Sequence, residues 1–569
     1  MSRGRLIWLT AAALLVVATA MVTLEQRRHG VVRDEVVYMN AGTGYASWWG
    51  DLVTFESGTL TEQSITAAFG GKRVTDNNSE HPPLMKTLFG ISEKALGGVM
   101  SRTSAYRFPN ALLYGVLVAL VFLFAAGRWG FAEGVVAAGF TFFMPRALFH
   151  AGLAAFDAPV VTLWFATLYA YYKSLASPWR WGVLFGVFFG LTLATKHNAI
   201  ILPAAILPHW IWVVARQVRD GRRADAARPL GAELWGAVRA RGPLTVPAML
   251  VIGPLVLIAV WPWLWFDTWA HASRWLSFHF DHVHYNFEYL GRNWNHPPFP
   301  WHVSIVTTLV TVPVVTLVAG ALGAGLLLVR ARRGVVAQAD RAPALLLFLS
   351  AGVAMGPFLL RTTPIFGAEK HWATAMPTIC IYAAIGLVAF ARLASDRAGL
   401  KAPRAAVAVL ATLAMLAAAV ETFHAQPYAL THYNALAGGA PGGADLGMNR
   451  QFWGYSARGV IPFLERFARE HGGGRPLPVY THDADMSWSV YARDGVRDAS
   501  IPSTANEWSR GIESSKLALI VHERHFNRHD YLVWQAYGTV QPVYVLTVDG
   551  VPIVTVYARP ELTKQSQVD

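Results

Sequence analysis

The chain has 569 residues, of which 54% are hydrophobic and 15% charged, and its mean hydropathy is +0.34. One soluble core of this length would be far less apolar, so most of the chain must lie in a membrane. The net charge of +13 does not require a nucleic-acid partner, because Lys and Arg collect in the loops on one side of a membrane protein and contact anionic lipids.

Long apolar runs predict a polytopic α-helical membrane protein, since crossing a hydrocarbon layer of about 30 Å takes roughly 20 helical residues. Lys and Arg should collect in alternate loops of a membrane protein. With eleven spans, all of the basic loops lie on one side of the membrane. The count is open by one or two between residues 131 and 215, where the connections are short. The eleven candidate spans are 6–24, 108–126, 131–149, 158–175, 181–195, 198–215, 244–265, 303–329, 343–361, 372–391 and 405–423.

The first apolar run permits two interpretations. Arg3, Arg5 and the sequence Ala18-Thr19-Ala20 resemble a cleavable signal peptide. The run continues to Leu24, however, which favours an uncleaved anchor. Either interpretation exports residue 25 onward.

Three polar segments are predicted on the exported side: a large first loop at 25–104, a Trp- and His-rich loop at 266–302, and a C-terminal segment after residue 424. Within the first loop, Gly44–Ser57 and Met85–Val99 have the pattern of helices that lie along the membrane surface. We expect a multi-pass protein of the bacterial inner (plasma) membrane whose working face is periplasmic.

The residues from 426 to 569 predict a small exported α/β domain. Arg458–Glu470 has the periodicity of an amphipathic helix. Asp549-Gly550 joins the last two apolar runs and is typical of a two-residue hairpin turn, which needs positive φ. The predicted strands are Pro476–Tyr480, Lys516–Val521, Val540–Val548 and Val551–Ala558.

Two adjacent carboxylates, Asp34 and Glu35, follow the first span by about ten residues. A carboxylate at the membrane surface can take a proton from an attacking hydroxyl or orient an acceptor or a metal. Downstream, His81-Pro82-Pro83 stiffens the backbone and fixes the directions of Glu80, His81 and Lys86. A Pro-Pro turn that caps the next helix is the structural alternative for this motif.

Cations form a second set on the same side: Arg107, Lys196 beside His197, and Lys370 beside His371. Cations near a membrane are unfavourable unless paired, and one phosphate group is a partner for several of them. This pattern suggests a lipid-linked phosphate as substrate. For each cation alone, extension of the side chain towards the lipid head groups is the simpler explanation.

Together these motifs resemble glycosyltransferase family 39, the protein O-mannosyltransferases and lipid A aminoarabinose transferases of the GT-C fold. The resemblance covers roughly residues 1–425, which would form the transmembrane catalytic domain, and the His-Pro-Pro element is its most specific part. One departure is Lys370-His371, where many bacterial relatives have Arg-His, so the charge is kept and the bidentate fork is lost. The motifs are Asp34-Glu35, His81-Pro82-Pro83-Leu84 with Lys86, Arg107-Phe108-Pro109, Phe156-Asp157-Ala158-Pro159, Thr195-Lys196-His197 and Lys370-His371 before Met376-Pro377.

The resemblance implies an inverting glycosyltransferase that moves a sugar from a polyprenyl phosphate to a protein, lipid or cell-envelope glycan. It implies that Asp34 is the catalytic acidic residue, with Glu35 as its partner and Asp157 as a second acidic position. The side chains chosen to hold the donor phosphate are Lys86, Arg107, Lys196, Lys370 and His371, and the proposed substrate loop is Glu80, His81, Pro82 and Pro83.

No cofactor is firmly expected, although a divalent cation near Asp34 is possible and its identity is unknown. Asp483-Ala484-Asp485 mimics the DxD pair of nucleotide-sugar enzymes, but the segment is short for that fold. The single cysteine, Cys380, lies in an apolar span and is not a catalytic candidate. Two polar clusters lack a recognised metal-ligand spacing: His279, Asp281, His282, His284, His296 and His302, and His522, Glu523, His525 and His529.

A transporter or flippase for an anionic lipid or solute is the alternative function. Transporters usually carry polar or broken helices near the middle of the membrane and repeated halves. Here the ionisable residues collect on one face beside a large exported loop, which favours the enzyme. The sequence Gly320-Ala321-Leu322-Gly323-Ala324-Gly325 lies within a span, where it is typical of close helix packing.

Overall fold

The computed structural model describes residues 2–70, 78–225, 227–281, 284–333, 338–399, 402–504, 508–523 and 527–563. All eleven predicted spans contain helix. The helices up to residue 425 are Arg3–Glu25, Arg33–Val53, Glu62–Phe69, Leu84–Leu96, Arg102–Arg128, Phe131–Phe142, Pro145–Ala151, Asp157–Ser174, Pro178–Leu193, Pro203–Ala224, Leu230–Ala240, Thr245–Pro247, Gly253–Val260, Thr268–Phe280, Val303–Thr311, Val314–Arg332, Gln338–Met355, Met376–Arg397 and Pro403–Ala425.

Fewer of these helices than predicted can cross a membrane by length and composition. The described residues contain seven such helices, or nine if two bent pairs each form one span. The predicted spans 158–175 and 181–195 are the helices Asp157–Ser174 and Pro178–Leu193, which are shorter or less apolar than the seven. The predicted span 303–329 is divided near Pro313, where proline cannot donate a helical hydrogen bond. The protein is an integral, multi-pass membrane protein.

Glycine permits the closest helix contacts in this region. A Cβ atom added to Gly323 would lie 1.9 Å from the carbonyl oxygen of Tyr382, so the predicted packing role of the Gly320–Gly325 sequence is confirmed. Likewise, a Cβ atom at Gly90 would lie 2.0 Å from the carbonyl oxygen of Gly42. The helices Arg33–Val53 and Leu84–Leu96 therefore pack backbone to backbone.

The loops predicted on the exported side contain helices and a short hairpin in their described parts. The predicted surface helices Gly44–Ser57 and Met85–Val99 are parts of Arg33–Val53 and Leu84–Leu96. The Trp- and His-rich loop carries a short antiparallel hairpin of strands β1 (Phe287–Tyr289) and β2 (Arg292–Trp294).

The C-terminal segment contains a four-stranded sheet, as predicted. Its strands are β3 (Val479–Thr481), β4 (Leu517–Val521), β5 (Tyr544–Val548) and β6 (Val551–Ala558), in the order β3-β4-β6-β5. Only β3 and β4 are parallel; β6 pairs antiparallel with β4 and β5. The helices of this segment are Gly439–Asp445, Ile461–His471, Asp485–Arg493, Trp508–Ser514, Asn527–Tyr537 and Pro560–Thr563.

The hairpin between β5 and β6 turns at Asp549 and Gly550, with φ of 48° and 80°. Both values are positive, as the predicted two-residue turn requires. The core of this segment also includes Val31 and Val36 of the first loop. The C-terminal domain therefore packs directly on the residues that surround Asp34.

Candidate active site

The two adjacent carboxylates lie in the first turn of the helix Arg33–Val53, where the helix dipole favours negative charge. Their surroundings differ sharply. The Glu35 side chain is 0% exposed, and its Oε2 accepts a hydrogen bond from the backbone N–H of Val32 at 3.0 Å. The Asp34 side chain is 31% exposed. Of the pair, Asp34 is the carboxylate that a substrate can reach.

Glu35 forms a buried, bidentate ion pair with Arg107. Nε and Nη2 of Arg107 donate to the two carboxylate oxygens at 2.8 and 2.7 Å. The guanidinium also donates to the carbonyl oxygens of Gln26 at 2.9 Å and Gly30 at 2.7 Å, and Ala154 N–H donates to Glu35 at 2.7 Å. This geometry does not favour the predicted phosphate contact of Arg107 or a catalytic role for Glu35, because both groups are already satisfied within the protein.

Lys86 is likewise engaged within the first loop. Its Nζ donates to the carbonyl oxygens of Asn78 at 2.5 Å and His81 at 2.9 Å, and to the side-chain oxygen of Asn78 at 3.1 Å. Burial lowers the pKa of Lys86 to about 7, against the raising effect of Glu80. A lysine with three acceptors and a weakened charge is poorly suited to the predicted phosphate contact. It holds the His-Pro-Pro loop in place.

The predicted substrate loop packs beside the helix of Asp34. The His81 ring lies 6.1 Å from the ring of Tyr38 and 5.6 Å from that of Phe156, between ring centroids. Glu80 accepts a hydrogen bond from the side-chain amide of Asn78 at 2.9 Å. Pro83 is the cap residue of the helix Leu84–Leu96, and Pro82 is buried beside it. The motif thus has the capping role that was its structural alternative, and its substrate role stays a prediction.

Asp157 and Lys196 form a second buried ion pair, with 2.6 Å between Nζ and Oδ1. Asp157 begins the helix Asp157–Ser174, and Lys196 directly precedes the short 3-10 helix His197–Ile201. Within the described part of the chain, Asp157 is the single hydrogen-bond acceptor of the Lys196 ammonium. Two of its three donor hydrogens are therefore available to a ligand.

Lys370 lies close to this pair, in the short helix Ala368–His371. Its Nζ is 3.9 Å from the ring centroid of Trp453, and it has no hydrogen-bond acceptor among the described residues. Burial lowers the pKa of Lys370 to about 8, opposed by the negative charges of Asp157 and Asp34. A buried ammonium group without an acceptor is suited to an anionic ligand.

His371 contacts the backbone, since its Nε2 forms a short hydrogen bond with the carbonyl oxygen of Phe366. Its ring lies 5.9 Å from the ring of Phe358. Of the predicted site residues, Asp157 and Lys196 form an ion pair in the structure. The charges of Asp157 and Asp34 both raise the pKa of Lys370, and His371 follows Lys370 in the chain.

A buried network beside Lys370 was not predicted from the sequence. Arg146 donates to Glu369 at 2.7 Å and to the carbonyl oxygen of His432 at 2.9 Å, and its guanidinium lies 4.9 Å from the Tyr433 ring centroid. His150 lies 3.9 Å from Glu369. The available signal was Arg146 itself, because an ionisable residue inside an apolar segment indicates a functional or strongly paired position.

No metal centre is visible in the described ranges, which contain no group of three or more His, Cys, Asp or Glu side chains placed to hold an ion. His282 and His525 of the two polar clusters lie outside the described residues. The divalent cation near Asp34 stays a prediction.

Residues 80–222 match the family model of dolichyl-phosphate-mannose-protein mannosyltransferases. The matched segment contains the His-Pro-Pro loop, Arg107, Asp157 and Lys196. The predicted resemblance is confirmed. Asp34 and Lys370 lie outside the segment that matches this glycosyltransferase family, on either side of it, and the fold brings them to it.

Three solved structures are similar along almost the whole chain. Two are ArnT from Cupriavidus metallidurans: the apo state has 14% identity, coverage of 96% of this chain and 97% of that one, and a TM-score of 0.47. The complex with undecaprenyl phosphate has 15% identity, 99% coverage of both chains and a TM-score of 0.47. The third is the oligosaccharyltransferase AglB from Archaeoglobus fulgidus, with 12% identity, coverage of 95% and 72%, and a TM-score of 0.47. No curated protein matches the sequence.

Proposed function

We propose that the protein transfers a sugar from a polyprenyl-phosphate donor to an acceptor on the exported face of the membrane. The observation that carries this proposal is the group of Asp157, Lys196 and Lys370, which is buried and has donor hydrogens to spare. The match of residues 80–222 to a family of lipid-phosphate-dependent sugar transferases supports it.

The two lysines suit the donor phosphate. As the bond between the sugar and the phosphate breaks, negative charge grows on the departing phosphate, and fixed cations stabilise that charge more in the transition state than in the ground state. Asp157 keeps Lys196 in position through the 2.6 Å ion pair. Phosphate is already a good leaving group, so this role needs no strong acid.

Asp34 is the proposed general base. Its side chain is 31% exposed, which leaves it accessible to an acceptor. In a single displacement the base removes the proton of an acceptor hydroxyl as oxygen attacks the sugar carbon from the side opposite the phosphate. The anomeric configuration is then inverted. Glu35 and Arg107 hold the start of the Asp34 helix and do not touch the substrate.

The enzyme would act at the periplasmic face of a bacterial inner membrane, where the polar first loop and the C-terminal domain are expected together. The family model that matches residues 80–222 describes sugar transferases, which supports the enzyme over the transporter alternative. The partners would be the lipid-linked sugar, membrane lipid and an acceptor protein, lipid or glycan, without nucleic acid.

The test is a transfer assay with purified protein, a panel of radiolabelled polyprenyl-phosphate sugars and a membrane extract that supplies acceptors. We expect one donor to lose its label to the extract, and we expect Asp34→Asn to lower that rate by a factor of about 100 to 10,000, the usual contribution of a general base. The matched control is Asp51→Asn, an exposed change in the same helix.

Two results would overturn the proposal. Either no donor in the panel transfers its sugar, or Asp34→Asn transfers it as fast as the unaltered protein. If the acceptor group is an anionic phosphate, the Asp34 effect will be smaller, so the assay should identify the labelled product before the Asp34 result is judged.

A further inference from the structure

The C-terminal domain contacts the segment that leads into the Asp34 helix at several points, four of which involve residues beyond 450. Tyr491 Oη accepts a hydrogen bond from Val31 N–H at 2.8 Å, and Arg458 donates to the carbonyl oxygen of His29 at 2.6 Å. The backbone N–H of Arg33 donates to the carbonyl oxygen of Trp453 at 3.2 Å. The fourth contact is the ion pair between Arg33 and Asp483, at 2.6 Å.

Two of these C-terminal residues also contact cations at the site. The ring of Trp453 lies under the Lys370 ammonium, at 3.9 Å. A cation over the face of an indole is stabilised by the charge distribution of the ring. The carboxylate of Asp483 holds the guanidinium of Arg33, which also lies 3.9 Å from Asp34. Trp453 therefore contacts a cation that the proposed reaction uses, and Asp483 holds a cation beside the proposed base.

Both residues adopt backbone conformations that side chains usually avoid. Trp453 has φ of 77° and Asp483 has φ of 56°. A bulky residue at positive φ is rare and persists where the surrounding structure holds it, often at a functional site. Gly454 brings the two together, because a Cβ atom there would lie 2.1 Å from the carbonyl oxygen of Asp483.

We propose that Trp453 and Asp483 are positioning residues of the transferase, so that the C-terminal domain completes its active site. Trp453 keeps the Lys370 cation where the donor phosphate binds. Asp483 draws Arg33 away from Asp34 and leaves that carboxylate free to accept a proton. This proposal rests on the proposed function. It assigns donor binding to the contact of Trp453 with Lys370, and proton removal to the contact of Asp483 with Arg33.

The Trp453 half predicts an effect on the donor. We expect Trp453→Ala to weaken binding of undecaprenyl phosphate about tenfold and to raise the donor KM by a similar factor, since buried cation–π contacts are of this strength. Trp453→Phe keeps an aromatic face and should recover most of the loss. Binding is measured by thermal stabilisation of the full chain, which does not depend on sugar transfer. The control is Trp534→Ala, which removes a tryptophan ring of the same domain that packs near Tyr557.

The Asp483 half predicts an effect on the chemical step. We expect Asp483→Asn to lower kcat about 30-fold with donor KM unchanged within twofold, because Arg33 then pairs with Asp34. Removing that cation as well, in Asp483→Asn with Arg33→Gln, should restore at least half of the loss on a logarithmic scale. A merely structural fault would not be repaired by a second deletion. Asp549→Asn is the matched control, also at positive φ.

The outcomes separate this inference from the proposed function. If the unaltered protein binds undecaprenyl phosphate and transfers no sugar, the proposed function fails, while the Trp453 binding test still decides its half. Unchanged phosphate binding in Trp453→Ala overturns the role of Trp453. A double variant as slow as Asp483→Asn alone overturns the role of Asp483.

Discussion

Two buried ion pairs in this protein have the same chemistry and different uses. In the Glu35–Arg107 pair, both partners have all their strong contacts inside the protein: two hydrogen bonds to each other, two from backbone N–H groups and two to carbonyl oxygens. In the Asp157–Lys196 pair, a single 2.6 Å contact joins the partners. The neighbouring Lys370 has an aromatic ring beneath it in place of a carboxylate.

The difference shows how charged residues that stabilise the fold (the framework) can be distinguished from charged residues that can bind a substrate (the site). A pair whose hydrogen-bonding capacity is fully used stabilises the fold and has nothing left for a ligand. A pair with spare donors is unfavourable in the free protein and is relieved by a substrate of the right charge. The four experiments that follow are ways to break this distinction.

The largest effect is expected at Arg107. Arg107→Ala leaves Glu35 as an unpaired buried charge, which costs about 3–5 kcal/mol of folding free energy. Thermal unfolding of the purified protein should show a large loss of stability. Arg102→Ala is the control at the start of the same helix, because its pair with Glu93 is exposed and contributes about 0–1 kcal/mol. Equal stability of the two variants would contradict a framework role for Arg107.

Lys370→Ala should reduce activity without reducing the stability of the fold. We expect kcat/KM for the lipid-linked donor to fall about 100-fold, the usual loss for one group that stabilises transition-state charge, with unfolding unchanged or improved. Lys94→Ala, on an exposed face of the helix Leu84–Leu96, is the control. A destabilised protein with normal turnover would place Lys370 in the framework.

A smaller effect is expected at Lys86. Lys86→Met keeps most of the buried volume and leaves the carbonyl oxygens of Asn78 and His81 without their donor, which costs about 1–3 kcal/mol. The variant should unfold earlier and show a raised KM, because the His-Pro-Pro loop loosens. If donor binding is lost while stability is unchanged, Lys86 binds phosphate after all and belongs with Lys370.

The smallest effect is a pH dependence. The pKa of Lys370 is lowered by burial from 10.5 to about 8, so its charge is present below pH 8 and is lost as the pH rises through that value. We expect kcat/KM for the donor, measured against pH, to decline above about pH 8, tenfold per pH unit at most. Lys370→Arg should move this decline upward, since arginine stays charged. An identical profile in both proteins would remove Lys370 from the donor site.

Much of the fold could be predicted because it depends on local patterns. Apolar runs predicted helix in all eleven spans, and Asp549-Gly550 predicted the hairpin. Each of these signals is contained in a short stretch of sequence. The number of spans is lower than predicted because Asp157–Ser174 and Pro178–Leu193 are too short or too little apolar to count. Such details depend on packing between helices, which no local pattern records.

The site was predicted in part. The sequence marked Asp34, Asp157, Lys196 and Lys370, of which Asp157 and Lys196 form an ion pair in the structure. The sequence could not show that Arg107 and Lys86 donate hydrogen bonds to backbone carbonyl oxygens. Those contacts depend on the path of the backbone. Trp453 was not marked, and Asp483 was considered only as part of a DxD-like pair, because both lie in a segment far from Asp34 along the chain.

The separation of 460 positions between Val31 and Tyr491 has a consequence for the order of events during synthesis. The helix that contains Asp34 is synthesised early. The residues that contact the segment before this helix, such as Tyr491, are synthesised late. Domains generally fold in the order in which they are made. We therefore expect the proposed active site to be complete only after the C-terminal domain has been made and packs on the first loop.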